Sequence, residues 1–81
     1  MDDKELQKYF ESLVDMFATD GWKMFIEDVT ANRETLADVY TINDGNQLFF
    51  RRGQLETVDR IINFETTIRN AFEEFERGQD A

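Results

Sequence analysis

Apolar side chains recur at helical spacing near the start of the chain. Leu6, Phe10, Leu13 and Phe17 follow one another at intervals of four, three and four residues, which places them on one face of an α-helix. We therefore predict a helix from about residue 3 to residue 18. Asp2 or Asp3 can cap it, because a carboxylate accepts hydrogen bonds from the free N–H groups of a first turn.

A second helical stripe follows the interruption at residues 19–22 and predicts a helix from about residue 20 to residue 41. Thr19 is a suitable N-cap for it. Arg33 falls on the apolar stripe, so we expect its stem to lie along the seam and its head to reach a carboxylate. The apolar positions of the stripe are Trp22, Ile26, Val29, Leu36 and Tyr40.

A third stripe predicts one long helix from about residue 47 to residue 77, followed by a frayed tail at residues 78–81. Gly53 is a weak point of this helix, costing about 1 kcal/mol relative to alanine. The stripe consists of Leu48, Leu55, Val58, Ile62, Ile68, Phe72 and Phe75.

Residues 42–46 contain the strongest turn signal, Asp44-Gly45, and two interpretations compete there. In the favoured one, Gly45 is the left-handed C-cap of the second helix and the chain forms a helical hairpin. In the alternative, Asp44-Gly45 joins two strands of a short β-hairpin, since β-prone residues flank it, and the fold is α+β.

The favoured fold is a single all-α domain, an elongated hairpin in which two shorter N-terminal helices pack on one long C-terminal helix. The chain has 81 residues, among them eight Phe and one Trp. A thin hairpin has little interior for so many large side chains. We therefore expect leftover apolar surface that serves binding or self-association.

The residue types present argue against catalysis and metal binding. The chain has no His and no Cys, which removes the commonest general base at neutral pH, the commonest transition-metal ligand and all thiolate chemistry. Asp44-Gly45-Asn46 resembles the start of a calcium loop, but Leu55 stands where the closing carboxylate is needed. We predict a protein that is not an enzyme and has no cofactor or metal.

The formal net charge of −9 repels nucleic acids and anionic membranes and favours basic partners. No apolar run approaches the roughly 18 residues that span a bilayer. The N-terminus is acidic and lacks the apolar region of a secretory signal. We therefore expect a protein that is neither secreted nor membrane-spanning, with a cytoplasmic location.

The predicted protein interface consists of large aromatic and arginine side chains, which dominate binding energy in protein interfaces. Two arginines are too few for direct nucleic-acid binding by a chain this acidic. For each of these residue types an alternative to the interface role stays open. Trp22 can be a core residue, and Arg51 and Arg52 can pair with Asp38 or Asp44. The interface residues are Trp22, Phe25, Phe49, Phe50, Arg51 and Arg52.

The acidic surface allows a different function. Carboxylates spaced along a surface like phosphates can occupy the basic groove of a nucleic-acid enzyme. Such rows could be formed by Glu27, Asp28, Glu34 and Asp38 on the second helix and by Glu11 and Asp15 on the first.

The segments Gly21-Trp22-Lys23 and Phe50-Arg51-Arg52-Gly53-Gln54-Leu55 resemble elements of a group of short, uncharacterised tailed-bacteriophage proteins. In that group a GWK element follows an amphipathic helix and an RGQL element opens a long helix with an acidic end. The resemblance implies a location in the host cytoplasm or the virion. It also implies one of two functions: a virion-assembly or adaptor component that self-associates or docks on a larger phage complex, or a modulator of a host enzyme.

Overall fold

The computed structural model describes residues 1–80, and that part of the chain contains helices and no strand. The all-α class is confirmed, but the prediction of three helices is wrong, because there are four α-helices. They are α1 (Asp3–Phe17), α2 (Asp20–Leu36), α3 (Gly45–Ile62) and α4 (Phe64–Asp80), with a 3-10 turn at Val39–Thr41 between α2 and α3.

The chain divides into two compact units. The terminal unit joins Met1–Lys23 to the segment from Phe64 onwards, and the central unit is Met24–Asn63. The first contains α1 and α4. The second contains most of α2, the 3-10 turn and α3.

The terminal unit is built on an antiparallel pair of helices. Phe10, Phe17 and Ile68 are buried between α1 and α4. The ring of Phe10 stacks on that of Phe72 with centroids 5.1 Å apart. At the far end of the pair, the side-chain amide of Gln79 donates to Asp3 at 3.3 Å. The face predicted for the first helix is thus the face that forms this core.

Side-chain caps define the start of α1 and the junction before α2. Asp2 Oδ1 accepts a hydrogen bond from the N–H of Glu5 at 2.8 Å, as predicted. Thr19 Oγ1 accepts from the N–H of Trp22 at 3.2 Å and donates to the carbonyl of Met16 at 2.7 Å. Thr19 therefore satisfies free backbone groups on both sides of the junction.

The predicted long third helix is interrupted at Asn63. Its N–H donates to the carbonyl of Asp59 at 2.9 Å and closes α3, and α4 begins at the next residue. The break coincides with a shift of the apolar stripe. Val58 and Ile62 are followed at helical spacing by polar Glu65, Thr66 and Arg69, and only Ile61 is in phase with Phe64 and Ile68.

The predictions for residues 37–46 are also corrected. Helix α2 ends at Leu36, and Asp38 caps the 3-10 turn by accepting from the N–H of Tyr40 at 3.0 Å. Gly45 is no left-handed C-cap, since no glycine of the described chain has positive φ, and it opens α3 instead. Asp44 caps α3 through the N–H of Gln47 at 2.8 Å. The alternative β-hairpin is wrong as well, because residues 45–50 are helical.

The C-terminal segment is helical as far as Asp80. The frayed tail predicted for residues 78–81 is therefore helical at residues 78–80. Ala81 lies outside the described residues. Within residues 1–80, no helix has both the length and the apolar character needed to cross a membrane.

Candidate protein-interaction surface

The central unit carries most of the large apolar side chains that are exposed in the described part of the chain. It contains no buried residue, whereas Phe10, Phe17 and Ile68 are all buried in the terminal unit. Phe49 and Phe50 are each 71% exposed. The other large apolar side chains exposed in this unit are Met24, Phe25, Val39, Tyr40 and Leu48.

Part of this surface is an open groove of about 500 Å³ between α2 and α3. We call it the central groove. Its lining includes no charged side chain, although 33% of the residues in the chain are charged. The lining residues are Asn32, Leu36, Phe49, Phe50, Gly53, Gln54, Thr57 and Val58.

The helical repeat of α3 explains why the groove is uncharged. The α3 positions in the lining form two series with a spacing of four, 49-53-57 and 50-54-58, which share one flank of the helix. Arg51 and Asp59 border this flank, with Arg51 seven residues before Val58, and both of these contact α2. The polar contacts that hold the helix pair thus lie along the edge of the groove, and Leu36, whose carbonyl accepts from Arg51, also lines it.

Two arginines make those polar contacts. The Arg51 guanidinium donates to the carbonyl of Leu36 at 3.0 Å and to the hydroxyl of Thr41 at 2.9 Å. It occupies a free carbonyl at the C-terminus of α2, where a cation is favourable. Arg33 donates from Nε to Asp59 Oδ1, which confirms the expected carboxylate contact. That hydrogen bond and the charge of Asp59 raise the pKa of Arg33 above its ordinary value.

Four of the six predicted interface residues lie on α3, but their environments differ. Phe49 and Phe50 line the groove, and Arg51 faces α2. Arg52 is exposed and pairs with Glu56 on its own helix at 3.5 Å. The alternative, in which these arginines pair with Asp38 or Asp44, is not what the structure shows. Arg51 contacts Leu36 and Thr41, and Arg52 contacts Glu56.

Phe25 is 47% exposed on α2. It precedes Asn32 by seven residues and Leu36 by eleven, so all three lie on the same face of the helix. Its position extends the apolar stripe of the groove along α2.

Trp22 belongs to the terminal unit, where it is half-buried against the core. Its ring lies 5.1 Å from that of Phe17, and its Nε1–H donates to Glu65 Oε1 at 3.3 Å. The pKa of Glu65 is lowered, chiefly because Arg69 donates a hydrogen bond to the carboxylate at 2.9 Å and further through the bond from Trp22. The core interpretation of Trp22 fits these contacts.

Sequence patterns missed several groove residues. Gly53 stood out only as a weak point of a helix, and Gln54 and Thr57 carry no signal of their own. The usable signal was the absence of charge at every position of the two series, 49-53-57 and 50-54-58. It was obscured by the charged residues that alternate with these series along α3.

The acidic rows proposed from the sequence lie on exposed positions. Glu27, Asp28 and Glu34 are exposed on α2, and Glu11 and Asp15 on α1. Asp38 is also exposed, but its carboxylate is engaged in capping the 3-10 turn. Within residues 1–80, no group of three or more carboxylates is arranged to hold a metal ion.

Searches against protein-family models, curated proteins and solved structures returned no match. The resemblance to phage proteins therefore stays a prediction.

Proposed function

We propose that this protein acts without catalysis, by binding other protein chains through the exposed apolar surface of the central unit. The observation that carries the proposal is the pair Phe49 and Phe50, each 71% exposed on a groove without charged residues. Burying a phenylalanine side chain is worth roughly 1.5–3 kcal/mol. Burial of these two adjacent exposed rings by a partner would therefore contribute a large favourable free energy of binding.

The lack of a buried residue in the central unit supports the same conclusion. In proteins most of the stability of helices such as α2 and α3 comes from packing of an apolar face. In the terminal unit that packing is present between α1 and α4. A bound chain would supply it for the central unit.

In the phage setting that the resemblance implies, this binding suits a virion-assembly or adaptor component that self-associates or docks on a larger complex. Its location would be the host cytoplasm or the virion. The contact would be made by Phe25, Phe49 and Phe50 with the arginines of α3 at the edge of the groove. Trp22 contributes to the terminal core instead.

The proposal is tested with a double substitution, Phe49→Ala and Phe50→Ala, which keeps helix propensity while removing both rings. The matched control is Tyr9→Ala, which removes an exposed ring from the terminal unit. Wild type and both variants serve as bait in lysates of infected cells, with captured proteins quantified by mass spectrometry. Proteins captured by wild type and the control should be lost from the double variant, and equal capture by all three would contradict the proposal.

The alternative function is inhibition of a host nucleic-acid enzyme by occupation of its basic groove. The exposed carboxylates Glu27 and Glu34, two helical turns apart on α2, favour it. Binding by charge would weaken steeply as salt is added, because the interacting groups are exposed. Binding through the apolar groove would not, so a salt series on any captured complex separates the two functions.

A further inference from the structure

Gly53 has no role within the chain that requires a glycine. It lies inside α3, where glycine costs about 1 kcal/mol relative to alanine. Its φ is not positive, and a Cβ placed on it would meet nothing within 4 Å. An alanine would therefore fit this monomer and stabilise it.

The position of Gly53 suggests what the glycine is for. It lines the central groove between Phe49 and Thr57, with its backbone open to the outside. A missing side chain lets the backbone of another helix approach closely, and flanking large side chains then pack around the crossing point. The open space around Gly53, together with its place in the groove, allows the close approach of a helix from another chain.

The charge distribution distinguishes between possible occupants. A foreign partner attracted by the −9 charge would be basic and would need carboxylates, but the groove has none. Two copies of this chain can bring their grooves together without bringing like charges into contact. The edge beside the groove carries both signs, Arg52 and Glu56, and can be complementary to a reversed copy of itself.

The exposed rings also supply a substantial part of the area that a dimer interface needs. At 71% exposure, Phe49 and Phe50 together offer roughly 200–350 Å², given about 150–250 Å² for a whole aromatic side chain. A standard interface buries about 800 Å² per partner. The two rings would supply about a third of it, and the dimer would take the rest from the flanks of α2 and α3, where Phe25 and Leu48 are also exposed.

We propose that the occupant of the central groove is a second copy of this chain, docked by a two-fold axis with the α3 helices crossing antiparallel at Gln54, next to Gly53. This inference rests on the proposed function and names its partner. In that register Phe50 of one copy lies against Val58 of the other. Arg52 of each copy comes opposite Glu56 of its mate.

The first test is sedimentation equilibrium of wild type, Gly53→Ala and the control Gly78→Ala. Both glycines are helical and a Cβ added at either would meet open space, but only Gly53 lines the groove. Wild type and Gly78→Ala should form dimers with the same dissociation constant. Gly53→Ala should raise that constant about tenfold, as expected for a methyl group forced into a packed contact, while its monomer melts no earlier than wild type.

The second test uses the absence of cysteine from the chain. Gln54→Cys places a thiol beside the proposed axis and should oxidise readily to a disulfide-linked dimer. Ser12→Cys, on the exposed side of α1 in the terminal unit, should not.

A wild-type chain that stays monomeric at about millimolar concentration, well above the micromolar range of ordinary specific dimers, overturns the inference. So does a Gly53→Ala dimer as tight as wild type. If such a monomer still captures another protein through Phe49 and Phe50, the proposed function stands and only the second copy is refuted. A monomer that captures nothing refutes both.

Discussion

Tyr9 and Phe10 are neighbours in sequence with opposite environments. Phe10 is 6% exposed and its ring contacts those of Phe72 and Phe75, whereas Tyr9 is 41% exposed. We expect Phe10→Ala to lower the free energy of unfolding by about 3–5 kcal/mol, the usual cost of a phenylalanine-sized cavity. Urea titration followed by circular dichroism measures this loss.

Tyr9→Ala is the control for that substitution. It removes a ring of similar size from the same turn, but one that is 41% exposed and lies at the edge of the core, 5.6 Å from the ring of Phe10. A loss of about 1 kcal/mol or less is expected, as for substitutions outside a core. Equal losses for the two variants would mean that α1 and α4 do not pack through Phe10.

Glu65 gives the terminal unit a pH dependence. Its folded-state pKa is lowered from 4.5, first by the hydrogen bond from Arg69 and then by that from Trp22. A lowered pKa stabilises the fold at pH values above the unfolded pKa, and this contribution is lost as pH falls through the folded pKa. The difference in unfolding free energy between wild type and Glu65→Gln should therefore be present at neutral pH and shrink below about pH 4.5.

Trp22 provides a direct readout of the same event. It is the one tryptophan of the chain, and its Nε1–H donates to the titrating carboxylate. Its fluorescence should change over the acid range in which Glu65 is protonated while the chain remains folded. The change should be missing from Glu65→Gln, and its persistence there would assign it to another group.

At the scale of single helices, the N-caps are the features that sequence reading handles best. Asp2 and Thr19 were expected at helix starts because their side chains can accept hydrogen bonds from free N–H groups, and both do so. The break at Asn63 was missed because apolar residues were counted without following their phase. Val58 and Ile62 lie on a different face of one ideal helix from Phe64 and Ile68, and only Ile61 is in phase with the second pair.

The turn at residues 42–46 shows a second limit. Asp-Gly is compatible with a hairpin turn, a helix C-cap and a helix start. Which one forms depends on Asp44 reaching the N–H of Gln47 and on Arg51 reaching the end of α2, and the second contact spans fifteen residues. Local preference cannot supply such a contact. The apolar groove depends on the same pairing of α2 with α3 and was therefore only partly foreseen, through Phe49 and Phe50.

The cap at Asp44 can be tested by itself. Asp44→Ala should destabilise the central unit by about 1 kcal/mol, the usual value for a lost N-cap. Asp44→Asn should retain most of the stability, because an asparagine side chain also accepts the hydrogen bond. Hydrogen exchange of the first-turn amides of α3 measures the stability of both variants. Faster exchange in Asp44→Asn than in Asp44→Ala would contradict the role of the cap.

For the whole molecule, charge and exposed apolar surface are segregated between the units. The terminal unit has eleven carboxylates against five cationic side chains, and the central unit has seven against four. The more weakly charged unit is the one that exposes Phe49 and Phe50. This division matches a protein in which one pair of helices holds its own core and the other contacts a partner.

The segregation of charge and apolar surface predicts how the dissociation constant of the proposed dimer depends on salt. Two copies of net charge −9 repel each other at long range, while the groove that joins them is uncharged. Raising the salt from about 0.05 M to about 0.5 M shortens the Debye length from roughly 14 Å to roughly 4 Å and screens the repulsion. The dimer dissociation constant, measured by sedimentation equilibrium, should therefore stay constant or fall as salt is added. A constant that rises with salt would mean that ion pairs at the edge, such as those of Arg52 with Glu56, dominate the contact instead of Phe49 and Phe50.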